Sequence, residues 1–243
     1  NMPCIESVQI FACKCLLNIT ANSCNNAIMG DLGRYPLYID TAKRCVKFWL
    51  RILRLPTNRL TRLCYDMLKH FENLGHINWV TYLRQNLYQN GYGYVWENQG
   101  VANEKSFVLQ YVDRLKNQYI QQWSSNCRDN NKLLYYTQYK NTYDIEAYVN
   151  TIDISKFRSA LAAFRSSSHS LLVERGRHFG ISREQRVCIY CETLIEDELH
   201  FVMCCPLYED LRINYIDRRF TEYPCLNNFV RLMTCGNDQV IKN

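Results

Sequence analysis

Cys188, Ile189, Tyr190 and Cys191 set two thiols two residues apart, and His200 and the pair Cys204-Cys205 follow shortly after. Two cysteines at this spacing form a tight knuckle that presents both sulfurs to one ion, and a downstream imidazole and a third thiolate complete a tetrahedral shell. That is the ligand set of a structural zinc site. Four filled positions leave no place for a reactive water, so the spacing predicts a structural ion and not a catalytic one. The competing reading is that these are ordinary buried or free cysteines in a chain that has 13 of them.

Periodicity leaves the fourth ligand open. On an unbroken helix over residues 196–205, at about 100° per residue, Cys204 lies about 40° round the axis from His200 and Cys205 about 140°. Pro206 disfavours helix at Cys205, so a helix that ends there lets the second thiolate swing in. The acidic run Glu196-Asp197-Glu198 reads as the first turn of this helix, where negative charge suits the positive dipole end, in preference to a carboxylate metal cluster.

A second chemistry precedes the knuckle. Lys156, Arg158, Arg165, His169, Arg175, Arg177, Arg183 and Arg186 lie in one segment with Ser166, Ser167 and Ser168. Guanidinium forks and hydroxyls are the groups that hold phosphate oxygens, so this segment is expected to grip a nucleic-acid backbone. The alternative is structural, with Arg165 paired to Glu174 and His169 capping or packing. Tyr190, inside the knuckle turn, is placed either to stack on an unpaired base or to pack. Phe201, beside the candidate His ligand, reads as core.

Charge is uneven along the chain. Residues 41–70 hold eight bases against Asp66 alone, residues 155–186 hold seven bases against two acids, and residues 187–222 hold eight acids against three arginines. The formal total is only +6, so the distribution, more than the sum, suggests a polyanionic partner. Long cationic side chains that merely solvate a core face are the bland reading of the first block.

The elements that must position these groups are helical. Leu60, Leu63, Cys64, Met67, Leu68, Phe71 and Leu74 form one amphipathic stripe, with Thr57 or Asn58 to cap its start and Gly75 to end it. Val46, Trp49, Leu50 and Leu53 mark a preceding helix that Pro56 stops, and the two are expected to pack antiparallel. Further helices are expected near 5–18, 78–89, 104–123 and 153–163, with a glycine-punctuated loop at Gly91, Gly93 and Gly100. No alternating segment demands a sheet. The fold class is therefore mostly α: a multi-helix bundle over 1–150, then a small helical subdomain over 151–243 that contains the zinc knuckle. The boundary is placed in the polar and weakly periodic stretch that ends near residue 150.

With 47% hydrophobic and 21% charged residues, the composition is that of a globular chain. No stretch approaches the roughly 18–20 uncharged apolar residues of a membrane span. Lys14 breaks the apolar run at 10–19, which also lacks the features of a signal peptide. An odd cysteine count does not resemble a secreted disulfide scaffold. An intracellular location, in cytoplasm or nucleus, is the expectation. No nucleophile–base pair or phosphate-binding loop is visible, so an enzyme active site is not expected on this chain.

Three segments resemble the region downstream of the polymerase in reverse transcriptases of non-LTR, LINE-type retrotransposons. They are Gly30-Asp-Leu-Gly-Arg34-Tyr-Pro-Leu37; Phe164-Arg-Ser-Ser-Ser-His169 with Glu174-Arg-Gly-Arg177; and Arg186-Val-Cys188, continuing through Ile195-Glu-Asp-Glu-Leu-His200-Phe to Cys205-Pro-Leu-Tyr208. The resemblance covers roughly residues 5–215. It implies a post-polymerase helical region with a CCHC zinc knuckle that helps hold template RNA or target DNA, with the upstream polymerase domain as a further partner. It also implies that the last ligand is the cysteine just before the proline, Cys205. The paired aspartates of a two-metal polymerase site are not found here. Asn1 ahead of Met2, and only 38 residues after Cys205, lead to the expectation of a fragment or remnant of a longer element protein without a following nuclease. The competing class is a zinc-stapled helical scaffold that docks a protein and never touches nucleic acid, a reading that the acidic 187–222 block favours.

Overall fold

The computed structural model describes residues 2–235, with side chains from Ile5 onward. Among these residues there is no strand, only two isolated antiparallel bridges, Leu32 with Ile145 and Val187 with Ile195. The mostly helical expectation holds. The chain resolves into two compact units, one of residues 1–6 and 35–121, the other of 7–34 and 122–243.

Helix α1, Met2–Leu17, begins in the first unit and continues into the second; α2, Asn25–Asp31, lies in the second. The first unit then contains α3 (Leu37–Leu53), α4 (Leu60–Asn73), α5 (Trp79–Gln89), α6 (Gly93–Glu97) and most of α7 (Glu104–Arg128). Its core gathers Val46, Trp49 and Leu50 of α3 with Val80, Leu83 and Leu87 of α5 and Phe107, Tyr111 and Leu115 of α7. Asn78 and Thr81 close a capping box at the start of α5. Trp49 stacks on Trp96 at 5.7 Å.

Helix α4 departs from expectation. Its apolar stripe faces outward: Leu60 is 76% exposed, Met67 57%, and Ile77 just beyond the helix 74%. Only Tyr65 is buried. On the inward side, Tyr65 and Leu68 pack on the apolar core, and directional polar bonds fix the face. The Tyr65 hydroxyl accepts from Trp49 Nε1 (3.0 Å) and donates to Gln99 Oε1 (2.6 Å), Glu72 pairs with Arg84 (2.6 Å), and Asn78 Nδ2 donates to the Leu68 carbonyl (2.9 Å). Neither Thr57 nor Asn58 caps the helix, since Arg59 is the cap residue and makes no side-chain bond. Gly75 does end it, at φ +89°, with His76 N–H returned to the Phe71 carbonyl.

The second unit takes the end of α7 and then α8 (Tyr136–Tyr139), α9 (Ala147–Thr151), α10 (Ser155–Arg165) and α11 (Leu172–His178). Beyond the metal-ligand segment come α12 (Glu209–Tyr215), α13 (Arg218–Thr221) and α14 (Leu226–Thr234). The division between units does not coincide with a boundary near residue 150. The polar stretch from Ser124 prolongs α7 because Trp123 and Cys127, one turn apart, are buried on one face. The tyrosine-rich stretch is likewise interior: Tyr136, Tyr139, Tyr143 and Tyr148 are all buried.

What they surround is Asp31. Arg165 grips it with two parallel bonds, Nε to Oδ2 at 2.7 Å and Nη2 to Oδ1 at 3.0 Å, while Tyr136 and Tyr148 donate their hydroxyls to the two oxygens. Glu146 takes a second bond from Arg165 (3.0 Å) and is held in turn by Lys140 (2.5 Å). The flanking glycines are there for room. A Cβ at Gly30 would lie 2.6 Å from the Tyr136 hydroxyl, and Gly33, at φ +57°, would set one 2.8 Å from the Ile145 nitrogen.

Candidate metal centre

Residues 186–196 fold back on themselves. The Cys188 N–H donates to the Leu194 carbonyl (2.8 Å), Glu192 N–H to the Cys188 carbonyl (2.9 Å) and Glu196 N–H to the Arg186 carbonyl (2.8 Å). Glu192 turns the knuckle at φ +55°. The fold brings the Cys188 and Cys191 sulfurs and a His200 ring nitrogen within 4.8 Å of one another, a group that could hold a metal ion. Cys191 Sγ lies 3.5 Å from His200 Nε2, and Cys188 Sγ lies 3.9 Å from Cys205 Sγ. A tetrahedral ion with sulfur at about 2.3 Å and nitrogen at about 2.0 Å has ligand–ligand edges of about 3.5–3.8 Å; the Cys191–His200 separation matches such an edge and the Cys188–Cys205 separation is close to one.

The backbone after His200 explains why Cys205 is the cysteine beside Cys188. Residues His200–Cys204 form a π-turn, closed by the Cys205 N–H on the His200 carbonyl at 2.8 Å. In this wider turn the residue five positions on becomes the axial neighbour, whereas in an α-helix it is the residue four on. Cys205 then leaves the helix at φ −62°, ψ 122°, the extended conformation that a residue before proline prefers. The thiol pair at Cys188 and Cys205 is buried; Cys204 is half-buried.

The protonation states of His200 and Cys191 favour ligation. Burial lowers the His200 pKa and so keeps its ring neutral. The Thr193 hydroxyl, 3.4 Å from Cys191 Sγ, is the largest influence that pulls this thiol down to about 7. Burial pushes the Cys205 and Cys204 thiols up. His200 Nδ1 is buried without a hydrogen-bond partner.

The acidic run is structural, residue by residue. Asp197 caps the turn by accepting the His200 N–H (3.0 Å), and its other oxygen takes the Tyr135 hydroxyl (2.7 Å) and Arg183 (3.2 Å). Glu196 Oε2 accepts the Leu172 N–H (2.8 Å) and the Glu196 carbonyl accepts the Val173 N–H. Glu198 accepts from Ser167 (3.3 Å) and contacts His169 Nε2 (3.0 Å). The Asp-x-x-His spacing is the sequence signal for the cap. The first-turn reading therefore holds only in part, and no second metal-ligand group occurs among the described residues.

These partners redraw the basic segment. Arg165 is 2% exposed and committed to Asp31, not to Glu174. Arg186 is buried with its guanidinium on the carbonyls of Val173 and Ile181. Arg177 pairs with Glu174 (2.9 Å), Arg183 with Asp197 and His169 with Glu198. Arg158 donates to the Ile152 carbonyl. Lys156 and Arg175 are the exposed cations of this segment with no acidic partner among the described residues. Five of the eight basic positions are thus turned inward: acids take Arg165, His169, Arg177 and Arg183, and backbone carbonyls take Arg186.

In the first unit, α3 presents Lys43, Lys47 and Arg51 at successive turns of one face, also without acidic partners, while Arg44 pairs with Asp40 and Arg54 with Glu104. Tyr190 and Ile189 at the knuckle tip are exposed. No helix among the described residues is long and apolar enough to cross a membrane. Compared with known protein families, curated proteins and solved structures, the chain matches none.

Proposed function

We propose that this chain is a nucleic-acid-binding region, without an active site of its own, braced by one structural zinc ion on Cys188, Cys191, His200 and Cys205. Cys188, Cys191 and His200 lie within 4.8 Å of one another with the Cys205 thiol 3.9 Å from Cys188, and three thiolates with an imidazole are a donor set that suits zinc. The zinc would hold the knuckle and the π-turn together and so fix the segment that Glu196, Asp197 and Glu198 clamp. The observation that carries nucleic-acid binding is the row of unpaired cations Lys43, Lys47 and Arg51 on α3, in a block with one acid to eight bases. Ion pairing normally silences such a row; left free, it tracks phosphates. The likeness of three segments to the post-polymerase region of non-LTR reverse transcriptases points the same way, with RNA or DNA as the ligand and the polymerase domain as a neighbour.

Filter binding of single-stranded RNA between 50 and 200 mM salt tests this. Lys47→Ala with Arg51→Ala should weaken binding for every sequence and reduce the slope of log K against log salt by about one for each lost contact. An unchanged slope would remove α3 from the interface. One observation favours a second reading, a protein-docking scaffold: the outward apolar stripe of α4. If RNA and duplex DNA both fail to bind below tens of micromolar, that reading takes over.

A further inference from the structure

The second unit contains a cleft of about 590 Å³ lined by α10, α11, the π-turn at 200–204 with Tyr208 beyond it, and Met233 of α14. One wall is a run of rings. His169 packs on Phe164 at 5.7 Å, Phe164 on Phe201 at 6.1 Å, and Phe201 edge-on to Tyr208 at 4.6 Å. Arg175 also lines the cleft; it is exposed and has no acidic partner among the described residues, in a segment where most other cations are paired. Glu196 stands in the same cleft with Oε2 on the Leu172 N–H, leaving Oε1 as an acceptor.

Aromatic faces, a free guanidinium and one carboxylate acceptor match the parts of a single nucleotide. The base is a flat π-system that stacks on rings, the phosphate is a dianion or diester that Arg binds through two parallel N–H groups, and exocyclic amines and ring N–H groups donate to carboxylates. A paired base inside a duplex cannot enter such a cleft, since its faces are already stacked. We propose that this cleft receives one unpaired base of a single-stranded nucleic acid, with its phosphate on Arg175 and its base against Phe201 and Tyr208. This rests on the nucleic-acid reading above and adds a site to it: the cations of α3 would supply sequence-independent affinity, and the cleft would supply the preference for unpaired strand.

The test uses the full chain and a single-stranded oligonucleotide with one 2-aminopurine, whose fluorescence is quenched on stacking, beside the same oligonucleotide in a duplex. The wild-type chain should quench the single-stranded probe on binding and prefer it to the duplex. Arg175→Ala, at an exposed position, should cost about tenfold in single-strand affinity while leaving duplex affinity within twofold, and Tyr208→Leu should reduce the quenching. Far-ultraviolet circular dichroism and metal content check that both variants stay folded. Lys156→Ala, an exposed cation outside the cleft, should leave the quenching unchanged. If the wild type binds the probe but Arg175→Ala binds it equally well and quenching persists, the cleft is not the base site, although nucleic-acid binding stands. If the wild type binds neither probe, both readings fall together.

Discussion

Arg165 is buried among Tyr136, Tyr139 and Tyr148 with its charge answered by Asp31 and Glu146. An ion removed from water this completely is tolerated because every fork nitrogen that reaches a carboxylate does so in good geometry. Breaking the pair strands the partner. Arg165→Ala should therefore cost about 3–5 kcal/mol of unfolding free energy in urea denaturation. Arg175→Ala, at an exposed and unpaired position, should stay within about 0.5 kcal/mol. Equal, small losses would mean that Asp31 is not buried as described. Residue type and spacing made the candidate metal ligands legible, because Cys-x-x-Cys and the later His and Cys are local signals. They could not assign Arg165, because its partner lies 134 positions away, and a guanidinium next to serines looks the same in sequence whether it awaits phosphate or is spoken for. Asp31 drew notice only as part of the Gly30–Leu37 resemblance, and its role in the structure is to anchor Arg165.

At the scale of elements, two helical segments behave unlike their periodicity. The π-turn at 200–204 shifts the register by one residue and replaces Cys204 with Cys205 beside Cys188. Standard α-periodicity favoured Cys204, while Pro206 left Cys205 open and the resemblance to the post-polymerase region implied it. Helix α4 kept its expected period and its glycine stop, yet it rotated so that hydrogen bonds through Tyr65 and Asn78, and the Glu72–Arg84 ion pair, face the core. An apolar stripe says that a face will be covered, not by what. The short helices α8 and α9 were hidden in a weakly periodic stretch because their order comes from tyrosines gathered on Asp31. Those tyrosines give the second unit a pH signature. Burial raises the pKa values of Tyr136, Tyr139 and Tyr148 far above the ordinary value near 10. A raised folded pKa contributes stability that is complete below the unfolded value and is lost as pH rises past it. Stability should thus be flat with respect to these groups up to about pH 9 and fall above about pH 10, by as much as 1.4 kcal/mol per pH unit for each tyrosine. Urea midpoints measured from pH 8 to 11 would show it; a midpoint that rises or holds through pH 11 would contradict a buried tyrosine cluster.

Across the whole molecule, the alternation of basic and acidic blocks has a partly internal explanation. The positive block at 155–186 and the negative block at 187–222 are joined by Arg183–Asp197, His169–Glu198 and the backbone bonds to Glu196. The acids therefore fasten the segment that carries the bases. On α3, Arg44 pairs with Asp40 and Arg54 just beyond the helix with Glu104, but Lys43, Lys47 and Arg51 have no acidic partner among the described residues, and they and Arg175 are where phosphate contacts are proposed. A metal at the knuckle would hold this clamp closed, since ligand binding to a site absent from the unfolded chain is itself folding free energy. Chelation should then raise amide exchange across 186–215 while α3 and α5 keep their protection; uniform exchange before and after chelation would mean the ion is not structural. Acid should act as a chelator does, since protons compete for three thiolates and an imidazole, and the affinity should fall as pH is lowered. The most direct test is native mass spectrometry of the purified full chain with Cys204→Ser and Cys205→Ser beside it. The account predicts one zinc per chain in the wild type, retained in Cys204→Ser and lost in Cys205→Ser; a metal-free wild type, or loss in Cys204→Ser with retention in Cys205→Ser, would contradict it.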